Sequence, residues 1–333
     1  MSPPDPLRVA FFGTPDLSVP SLEALIRSRH EVVAVVSQPD RGRGRGRKLS
    51  PSPVAACALE EDIPVLRPER VGEPEVLEAL REHAPDVGVV VAFGQFIGRK
   101  VRELPSLGYM INAHASLLPR YRGASPIAQA ILDDEEETGI SIMRVEREMD
   151  AGPVAHVRRL EIGEQENSAE LAQRLSNLAA ESILEALDLI VSNEIKWTEQ
   201  DHDRSSLAPK LFKEDGRLDW RLPTRTLIRR IHGLAPRPGA FTVLPAGESG
   251  EESPLRILRA APGEGPQGAS DPPGTLRRPE DAPGTLQIAT GDGWLAPLEV
   301  QRAGAKAMPT DAFLRGTPLE DGLRLDVLEK PHG

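Results

Sequence analysis

The sequence predicts an α/β protein with a doubly wound, mostly parallel sheet, followed by a small β-barrel domain. Through the first 195 residues, short apolar runs alternate with segments of helical periodicity, which is typical of a layered α/β domain. The runs 32–36 and 87–93 are almost continuously apolar, as expected of strands buried in a parallel sheet. Beyond residue 215, short apolar runs are separated by glycine and proline segments, a pattern typical of small barrels.

The first domain is predicted to open with a β-α-β unit made of strand 7–12, helix 18–29 and strand 32–36. The turn at 13–15 lacks the GxGxxG pattern, so a dinucleotide site of the usual kind is unsupported. The acidic run 133–137 is expected to be solvated. The other elements expected in this domain are helices at 51–62, 73–83, 126–132 and 168–191, and strands at 64–66, 87–93, 108–114, 139–145 and 153–160.

A change of composition marks the second domain. Residues 196–214 show little periodicity and are expected to form a linker across the surface. The segment 245–283 is rich in Gly, Pro, Glu and Ser, and is predicted to contain a disordered loop. The expected elements are a helix at 224–232 and strands at 240–244, 255–258, 285–289 and 294–300.

Length and composition bound the function. A chain of 333 residues favours two domains, which we place at 1–195 and 215–333 with the linker 196–214 between them. The net charge of −11 argues against a general nucleic-acid coat protein, so any RNA contact needs a local basic patch. No apolar run approaches a membrane span of ~20 residues, and no signal-peptide pattern is present. Cys57, the only cysteine, cannot form an internal disulfide, as expected of a protein in the reducing cytoplasm. We also expect a monomer without a membrane partner.

A glycine-arginine segment at 41–48 supplies such a patch. Five of its eight residues are basic and the other three are glycines, so we expect a mobile, strongly positive loop and no packed element. Such a loop is suited to binding phosphates by charge, although a solvated surface loop would have the same composition. The basic residues are Arg41, Arg43, Arg45, Arg47 and Lys48.

The stretch 108–126, GYMINAHASLLPRYRGASP, is the centre of the functional prediction. Its first part alternates like a strand, so Asn112 and His114 share one face. Strand pairing then gives way at Pro119 to a loop. An amide donor and a titratable imidazole therefore stand together where a strand ends, the usual ligand position in an open α/β sheet. The alternative is a buried histidine satisfied by the backbone.

Eight blocks of the sequence resemble the methionyl-tRNA formyltransferases, a family of folate-dependent enzymes, nearly end to end. The blocks are FFGTPDLSVPSLEAL, QPDRGRGRGRK, AFGQFI, NAHASLLPRYRGASPI, TGISIMRVEREMDAG, LAPKLFKEDGRLDW, PRPGAF and VQRAGAKAMPTDAFLRG. The resemblance implies a Rossmann-like domain and a C-terminal barrel of oligonucleotide-binding type. It also implies 10-formyltetrahydrofolate as formyl donor, the α-amine of methionine on initiator tRNA as acceptor, and no metal.

The resemblance also assigns residues by motif position. It implies a catalytic trio of Asn112, His114 and Asp150. The folate site it implies consists of Phe93, Gly94, Gln95, Ser116, Leu117, Leu118 and Pro119. The resemblance also implies that the loop with Arg41, Arg43, Arg45, Arg47 and Lys48 approaches the tRNA acceptor stem. As a hypothesis from charge, Lys210, Arg229 and Arg230 extend this contact. The chain departs from the family at Phe93, where a tyrosine is frequent, and at Arg237, where an aromatic residue is frequent.

The trio suits the attack of a neutral amine on an amide-like carbonyl. Asn112, and His114 when protonated, would donate hydrogen bonds to the developing oxyanion. Asp150 would orient the imidazole and relay a proton through water, although an aspartate in EMDAG is also a common turn former.

Three other functions compete with this one. The same core could formylate a small amine, such as an aminosugar or glycinamide ribonucleotide, although the basic loop and the second domain argue against that. A non-enzymatic RNA-binding module would not need Asn112, His114 and Asp150. A nicotinamide-dependent dehydrogenase lacks its glycine fingerprint.

Overall fold

A seven-stranded mixed sheet forms the core of the first part of the chain in the computed structural model. The structure describes residues 5–43, 48–245, 253–265, 271–279, 282, 284–317 and 319–325. The strands of the described chain, in all its sheets, are β1 Arg8–Gly13, β2 Glu31–Val36, β3 Arg41–Arg43, β4 Lys48–Ser50, β5 Val65–Leu66, β6 Val87–Val91, β7 Met110–His114, β8 Arg122–Gly123, β9 Glu137–Arg144, β10 Val154–Glu161, β11 Leu207–Ala208, β12 Ala240–Leu244, β13 Ser253–Pro262, β14 Leu276–Arg277, β15 Gln287–Ala289, β16 Trp294–Arg302 and β17 Met308–Pro309. Its helices are α1 Val19–Ile26, α2 Pro53–Glu60, α3 Pro74–Glu82, α4 Arg99–Arg102, α5 Pro126–Leu132, α6 Ser168–Val191, α7 Thr224–Leu234 and α8 Thr310–Gly316, with short 3-10 turns at Asp16–Ser18, His202–Arg204 and Lys213–Gly216.

The strand order of the large sheet is β10-β9-β7-β6-β1-β2-β5. The five strands from β7 to β5 are parallel, whereas β9 and β10 run antiparallel to their neighbours. Starting from β1, the chain first adds β2 and β5 on one side of β1 in the sheet. It then adds β6 and β7 on the other side. The loops after β1 and β6 therefore diverge at a topological switch point, where open α/β sheets bind their ligands. This confirms the predicted doubly wound, mostly parallel sheet.

The apolar patterns identified most of these elements. Strands β1, β2 and β6 are almost entirely buried, which explains their continuous apolar runs. Helix α6 spans the predicted range 168–191, and its apolar side is buried. That side consists of Leu171, Leu175, Leu178, Ile183, Leu187 and Ile190. A 24-residue amphipathic pattern defines both the buried face and the length of a helix, since it repeats over more than six turns.

The predicted loop at 41–48 was wrong in part, and the predicted linker contains a short strand. The basic segment 41–48 begins and ends in an antiparallel pair, in which Arg41 lies opposite Ser50 and Arg43 opposite Lys48. Backbone hydrogen bonds form this pair, so it needs no apolar side chains and leaves no apolar pattern in the sequence. Residues 44–47, including Arg45 and Arg47, lie outside the described residues. The predicted linker is also structured in part, because its strand β11 pairs in parallel with β8.

The C-terminal part of the chain contains an antiparallel sheet. Its order is β12-β13-β16-β15-β14, with β17 beside β16. Helix α7 packs on this sheet, and Trp220, Leu227 and Ile257 lie fully buried in the shared core. Among the described residues, hydrogen-bonded pairing runs from β12 to β14 without returning to β12. Closure into an oligonucleotide-binding barrel therefore stays a prediction. Parts of the predicted disordered segment, such as 246–252, lie outside the described residues, whereas 253–262 form β13.

Contacts divide the chain into two compact units. The first unit contains Met1–Pro126, Glu137–Glu161 and Ala172–Ala208. The second contains Ile127–Glu136, Ile162–Leu171 and Pro209–Gly333. The predicted linker 196–214 is thereby shared: its residues up to Ala208 belong to the first unit, and those from Pro209 onward belong to the second.

Candidate active site

Strand β7 carries two of the three predicted catalytic residues to its carboxyl end. His114 is buried, and Asn112 is half-buried. The His114 Nε2 lies 2.8 Å from the carbonyl oxygen of Tyr121. Because a carbonyl oxygen only accepts hydrogen bonds, Nε2 carries the proton and donates it. The other ring nitrogen, Nδ1, then faces the Asp150 Oδ2 at 3.7 Å. This separation is longer than a hydrogen bond, and it becomes a direct charge interaction only when the imidazole is protonated.

Asp150 reaches this position through the turn between β9 and β10. Its backbone is left-handed, with φ of 53°, a conformation that aspartate tolerates better than most residues. Its Oδ2 accepts a hydrogen bond of 2.9 Å from the backbone N–H of Gly123. A Cβ at Gly152 would lie 2.1 Å from the carbonyl oxygen of Arg144, so the turn requires glycine there. The EMDAG turn is thus shaped to aim one carboxylate at His114.

The Asn112 side chain differs from its neighbours in having no hydrogen-bond partner among the residues that the structure describes. Its amide forms no hydrogen bond with any residue in the described part of the chain, although the side chain is half-buried. His114 and Asp150, in contrast, are both tied to the 121–123 segment. Asn112 therefore offers two unused N–H donors beside the imidazole.

A cleft of about 380 Å³ lies at the topological switch point of the sheet. It is formed where β1, β2 and β6 end, the same edge of the sheet to which β7 brings His114. Its lining residues are Thr14, Pro15, Gln38, Pro39, Arg41, Ser52, Ala92, Phe93 and Gly94. Most of these are neutral, and Arg41 is the one cation among them. The cleft therefore suits a largely neutral ligand with a negative group near one side.

The predicted folate residues after β6 have different roles in the structure. Phe93 is buried and packs edge-on against Phe12, with ring centres 5.5 Å apart. Gly94 has a φ of 82° and is exposed at the cleft. Both ends of the Gln95 amide are used internally: Oε1 accepts from the Val71 N–H at 2.8 Å, and Nε2 donates to the Pro68 carbonyl at 2.9 Å. Gln95 thus secures the neighbouring loop.

The second group of predicted folate residues forms the loop after β7. Ser116 is fully buried, and its hydroxyl donates to the Arg120 carbonyl at 2.6 Å. The Ser141 side chain ties this loop to β9, accepting from the Leu118 N–H at 3.1 Å and donating to the Ser116 carbonyl at 2.7 Å. Leu117, Leu118 and Pro119 are half-buried. The loop therefore combines a fixed backbone with partly accessible apolar side chains.

The predicted tRNA-binding residues are divided between the two units. In the first unit, Arg41 is exposed beside the cleft, while Arg43 and Lys48 lie in the β3–β4 pair. In the second unit, Lys210 is exposed, with its ammonium 5.6 Å from the centre of the Phe212 ring. Arg41 and Lys210 are thus accessible cations in their respective units.

Arg229 and Arg230 lie on α7 in the second unit. Arg229 is buried, and its guanidinium donates to the Asp134 carboxylate and to the Glu164 carbonyl. Arg230 is half-buried and donates to the Asp215 carbonyl at 2.7 Å. Hydrogen bonds from Arg225 and Arg229 hold the pKa of the Asp134 carboxyl below its usual range. Asp134, which lies in the predicted solvated acidic run, is therefore an internal ion-pair partner, and the Arg229 charge is neutralised inside the unit.

Two residues around Asp150 were not predicted from the sequence to act at the site. The buried Gln200 donates to the carbonyl oxygens of Asp150 and Gly152, and it accepts from the guanidinium of the buried Arg122. Arg122 could be recognised only through the RYRG motif, and Gln200 lies in a stretch without periodicity. Its contribution depends on contacts across 50 residues, for which a single sequence holds no signal.

The described residues also bear on metal sites and membrane spans. Across the described residues, no group of three or more His, Cys, Asp and Glu side chains is arranged to bind a metal ion. None of the described helices is both long and apolar enough to span a bilayer.

Comparison with known proteins completes this evidence. The formyl transferase family model matches residues 7–187, and the model of the formyl transferase C-terminal domain matches residues 210–318. The methionyl-tRNA formyltransferase of Geobacter sulfurreducens is 42% identical over 319 residues, which cover 96% of each chain. That of Thermus thermophilus is 42% identical over 319 residues, covering 96% of this chain and 99% of its own.

A solved structure agrees in fold. HypX from Aquifex aeolicus, solved with tetrahydrofolic acid, superposes with a TM-score of 0.62 at 20% identity. The match covers 93% of this chain and 47% of HypX, so this chain spans about half the length of that protein. Together, the family models over both parts of the chain and the end-to-end relatives show that the chain belongs to the methionyl-tRNA formyltransferase family.

Proposed function

We propose that this protein transfers the formyl group of 10-formyltetrahydrofolate to the α-amino group of methionine on initiator tRNA. The observation that carries the proposal is the arrangement at the end of β7. There the Asn112 amide, which has no hydrogen-bond partner within the described part of the chain, stands two residues from His114, whose Nδ1 faces the Asp150 carboxylate at 3.7 Å. The family membership supports the same reaction, since the end-to-end relatives are methionyl-tRNA formyltransferases.

The residues near the end of β7 fit a folate co-substrate. A formyl amide needs a hydrogen-bond donor at its oxygen, and the Asn112 amide has no competing partner in the described chain. The half-buried Leu117, Leu118 and Pro119 supply apolar surface for a flat ring system. We therefore propose that Gly94 and the 116–119 loop bind the folate, with Phe93 and Gln95 supporting them from inside. The folate supplies the formyl group.

Asn112 is the proposed electrostatic catalyst. When an amine attacks a formyl carbonyl, negative charge develops on the carbonyl oxygen. An N–H donor that is already in place stabilises this charge without reorganisation, because it does not first have to break an internal hydrogen bond. When His114 is protonated, its Nε2–H is committed to the Tyr121 carbonyl and its Nδ1–H is the donor left for the oxyanion.

We assign His114 and Asp150 to proton transfer. The attacking amine must lose a proton, and the folate nitrogen that leaves must gain one. An α-amino group has a pKa of about 7.7–8.0 in its unperturbed state, so a useful neutral fraction exists at pH 7. The 3.7 Å between Nδ1 and Oδ2 leaves both atoms able to engage a third group, such as a bridging water. The geometry therefore supports a relay through water between the imidazole and the carboxylate.

For the tRNA, we propose contacts by charge. Arg41, Arg43, Arg45, Arg47 and Lys48 would attract the phosphates of the acceptor end, because a glycine-arginine segment can adjust its backbone to them. Two more cations would add phosphate contacts: Arg230 in the second domain, 215–333, and Lys210 in the adjoining linker. Arg229 serves as a packing residue rather than a phosphate contact, since it is buried and paired with Asp134. We further propose a monomer that acts in the cytoplasm.

The test is transfer of labelled formyl from 10-formyltetrahydrofolate to purified methionyl initiator tRNA. Free methionine, elongator Met-tRNA and a nucleotide-linked aminosugar serve as alternative acceptors. We expect label on the initiator tRNA alone. Formylation of the aminosugar or of free methionine in preference to tRNA would refute the proposed acceptor. Folate binding without transfer to any of them would refute the reaction.

A further inference from the structure

We propose that Gln200 is a positioning residue for the His114–Asp150 pair. The proposal rests on the proposed function, since it assumes that this pair moves the proton. Gln200 does not touch either functional side chain. Its amide binds the backbone carbonyls of Asp150 and Gly152. It also binds the guanidinium of Arg122, whose neighbours Tyr121 and Gly123 bind His114 and Asp150 through their backbone.

The Gln200 amide uses its full hydrogen-bonding capacity. Its Nε2 donates to the Asp150 carbonyl at 2.8 Å and to the Gly152 carbonyl at 2.7 Å. Its Oε1 accepts from the Arg122 Nε at 3.1 Å and from Nη2 at 2.8 Å. An amide has two N–H donors and an oxygen with two lone pairs, so all four positions are filled. Gln200 is only 7% exposed, and water therefore has little access to compete for these bonds.

Arg122 connects this amide to the other side of the site. The backbone on either side of it binds the two functional residues: the Tyr121 carbonyl accepts from His114, and the Gly123 N–H donates to Asp150. The Arg122 guanidinium binds Gln200, which in turn binds the backbone of Asp150. The contacts form a closed ring from His114 through the 121–123 segment and Gln200 to Asp150. Gln200 is the member of the ring that is distant in sequence.

The ring opposes a backbone preference at Asp150. A left-handed φ of 53° costs a non-glycine residue free energy relative to the extended or helical regions. The hydrogen bond from Gln200 to the Asp150 carbonyl fixes the orientation of the peptide group that follows Asp150. Without it, we expect the turn to relax and the carboxylate to withdraw from Gly123 and His114.

The segment carrying Gln200 is anchored independently of this side chain. Thr198 and Val154 exchange two backbone hydrogen bonds of 2.9 Å each, and β11 pairs with β8 further along. Substitution of Gln200 should therefore leave the segment in place while releasing the turn. This separation makes the proposal testable, because a residue that merely stabilised the fold would not affect the turn selectively.

The test uses Gln200→Glu and Gln200→Leu in the full chain, with Glu199→Ala as the matched control. Glu199 is the exposed neighbour on the same segment. Gln200→Glu keeps a partner for Arg122 but loses both donors to the turn, whereas Gln200→Leu loses all four bonds. We expect kcat for Met-tRNA formylation to fall about 10- to 100-fold in both variants, because small misplacements of catalytic groups cost rates of that order. The KM for each substrate should stay within about threefold.

A second readout needs no turnover. The amide proton of Gly123 donates to the Asp150 carboxylate, so its NMR chemical shift reports where that carboxylate lies. In the free protein we expect this resonance to move upfield in both variants and to stay unchanged in Glu199→Ala. An unchanged Gly123 resonance, or kcat within about twofold of wild type, would overturn the proposal. A parallel loss of kcat, melting temperature and substrate affinity would assign Gln200 a purely structural role and would also overturn it.

The two proposals fail in different ways. A wild-type protein that formylates none of the acceptors would refute the proposed function, while the Gly123 resonance would still test the positioning. An active wild type with an insensitive Gly123 resonance would refute the positioning alone.

Discussion

Replacing Asn112 by alanine should separate catalysis from stability. The Asn112 amide has no hydrogen bond to any residue in the described chain, so its removal breaks no internal interaction of that kind. If the amide donates to the developing oxyanion, its loss is felt mainly in the transition state. The variant should therefore fold like the wild type and turn over slowly.

The expected changes in kcat and in the free energy of unfolding differ in size, because the Asn112 amide is proposed to bind the oxyanion but has no hydrogen bond to the described chain. Loss of one preorganised oxyanion donor costs about 3–4 kcal/mol, which corresponds to a fall of about 10²- to 10³-fold in kcat. A half-buried amide without a partner contributes little to folding, so the free energy of unfolding should change by less than about 1 kcal/mol.

Gln95 supplies the matched control for the stability part. Its amide is also half-buried, but it holds two hydrogen bonds, from the Val71 N–H and to the Pro68 carbonyl. Gln95→Ala leaves both backbone groups without their partner and should lower the free energy of unfolding by about 1–3 kcal/mol.

The assay is steady-state formylation with saturating folate and Met-tRNA, combined with urea unfolding followed by circular dichroism. Turnover by Asn112→Ala within about threefold of wild type would refute the oxyanion role. A loss of stability equal to that of Gln95→Ala would show instead that the Asn112 amide is engaged in the folded protein, and would refute the structural reasoning.

Three further predictions concern charge. Asp134→Asn should lower the free energy of unfolding by about 2–3 kcal/mol because it leaves the buried Arg229 without its carboxylate, whereas Asp133→Asn should change it little in the same urea titration. Burial and the neighbouring Arg229 lower the pKa of His232 to about 4, from an ordinary 6.5. The unfolded chain therefore binds a proton first as the pH falls, and stability should drop by about 2 kcal/mol between pH 7 and 5; a glutamine variant that kept the same pH dependence would contradict this. Arg41→Glu should weaken tRNA binding and reduce the slope of log affinity against log salt by about one or more. Equal salt slopes would exclude a phosphate contact at this position.

The parts of the fold that sequence predicted well are those with a long or strict pattern. Helix α6 follows from its repeated apolar side, and β6 from an uninterrupted buried run. The β3–β4 pair was not predictable in this way, because alternating glycine and arginine can form backbone hydrogen bonds without any apolar signal. The same holds for the two-residue strands β8 and β11, which are too short to show a period.

The candidate site was predictable to a similar degree. The strand pattern placed Asn112 and His114 on one face, and the family resemblance added Asp150. The ring that holds them was not predictable, since the Gln200 contacts join positions about 50 and 80 residues apart. Nor was the burial of Arg229, because an arginine on an amphipathic helix is usually solvated and its partner Asp134 lies 95 residues away.

The makeup of the second unit has a consequence for how the chain is made. Asp134 is synthesised 95 residues before Arg229, the cation it neutralises. At ribosomal rates of about 5–20 residues per second, Arg229 is synthesised roughly 5–20 s after Asp134, which is among the first residues of its unit to emerge. A fragment beginning at Pro209 would never receive that carboxylate, because 127–136 and 162–171 belong to the same unit. Expression of the second unit on its own therefore requires those early segments to be supplied with it, as separate peptides or by rejoining the chain in a new order.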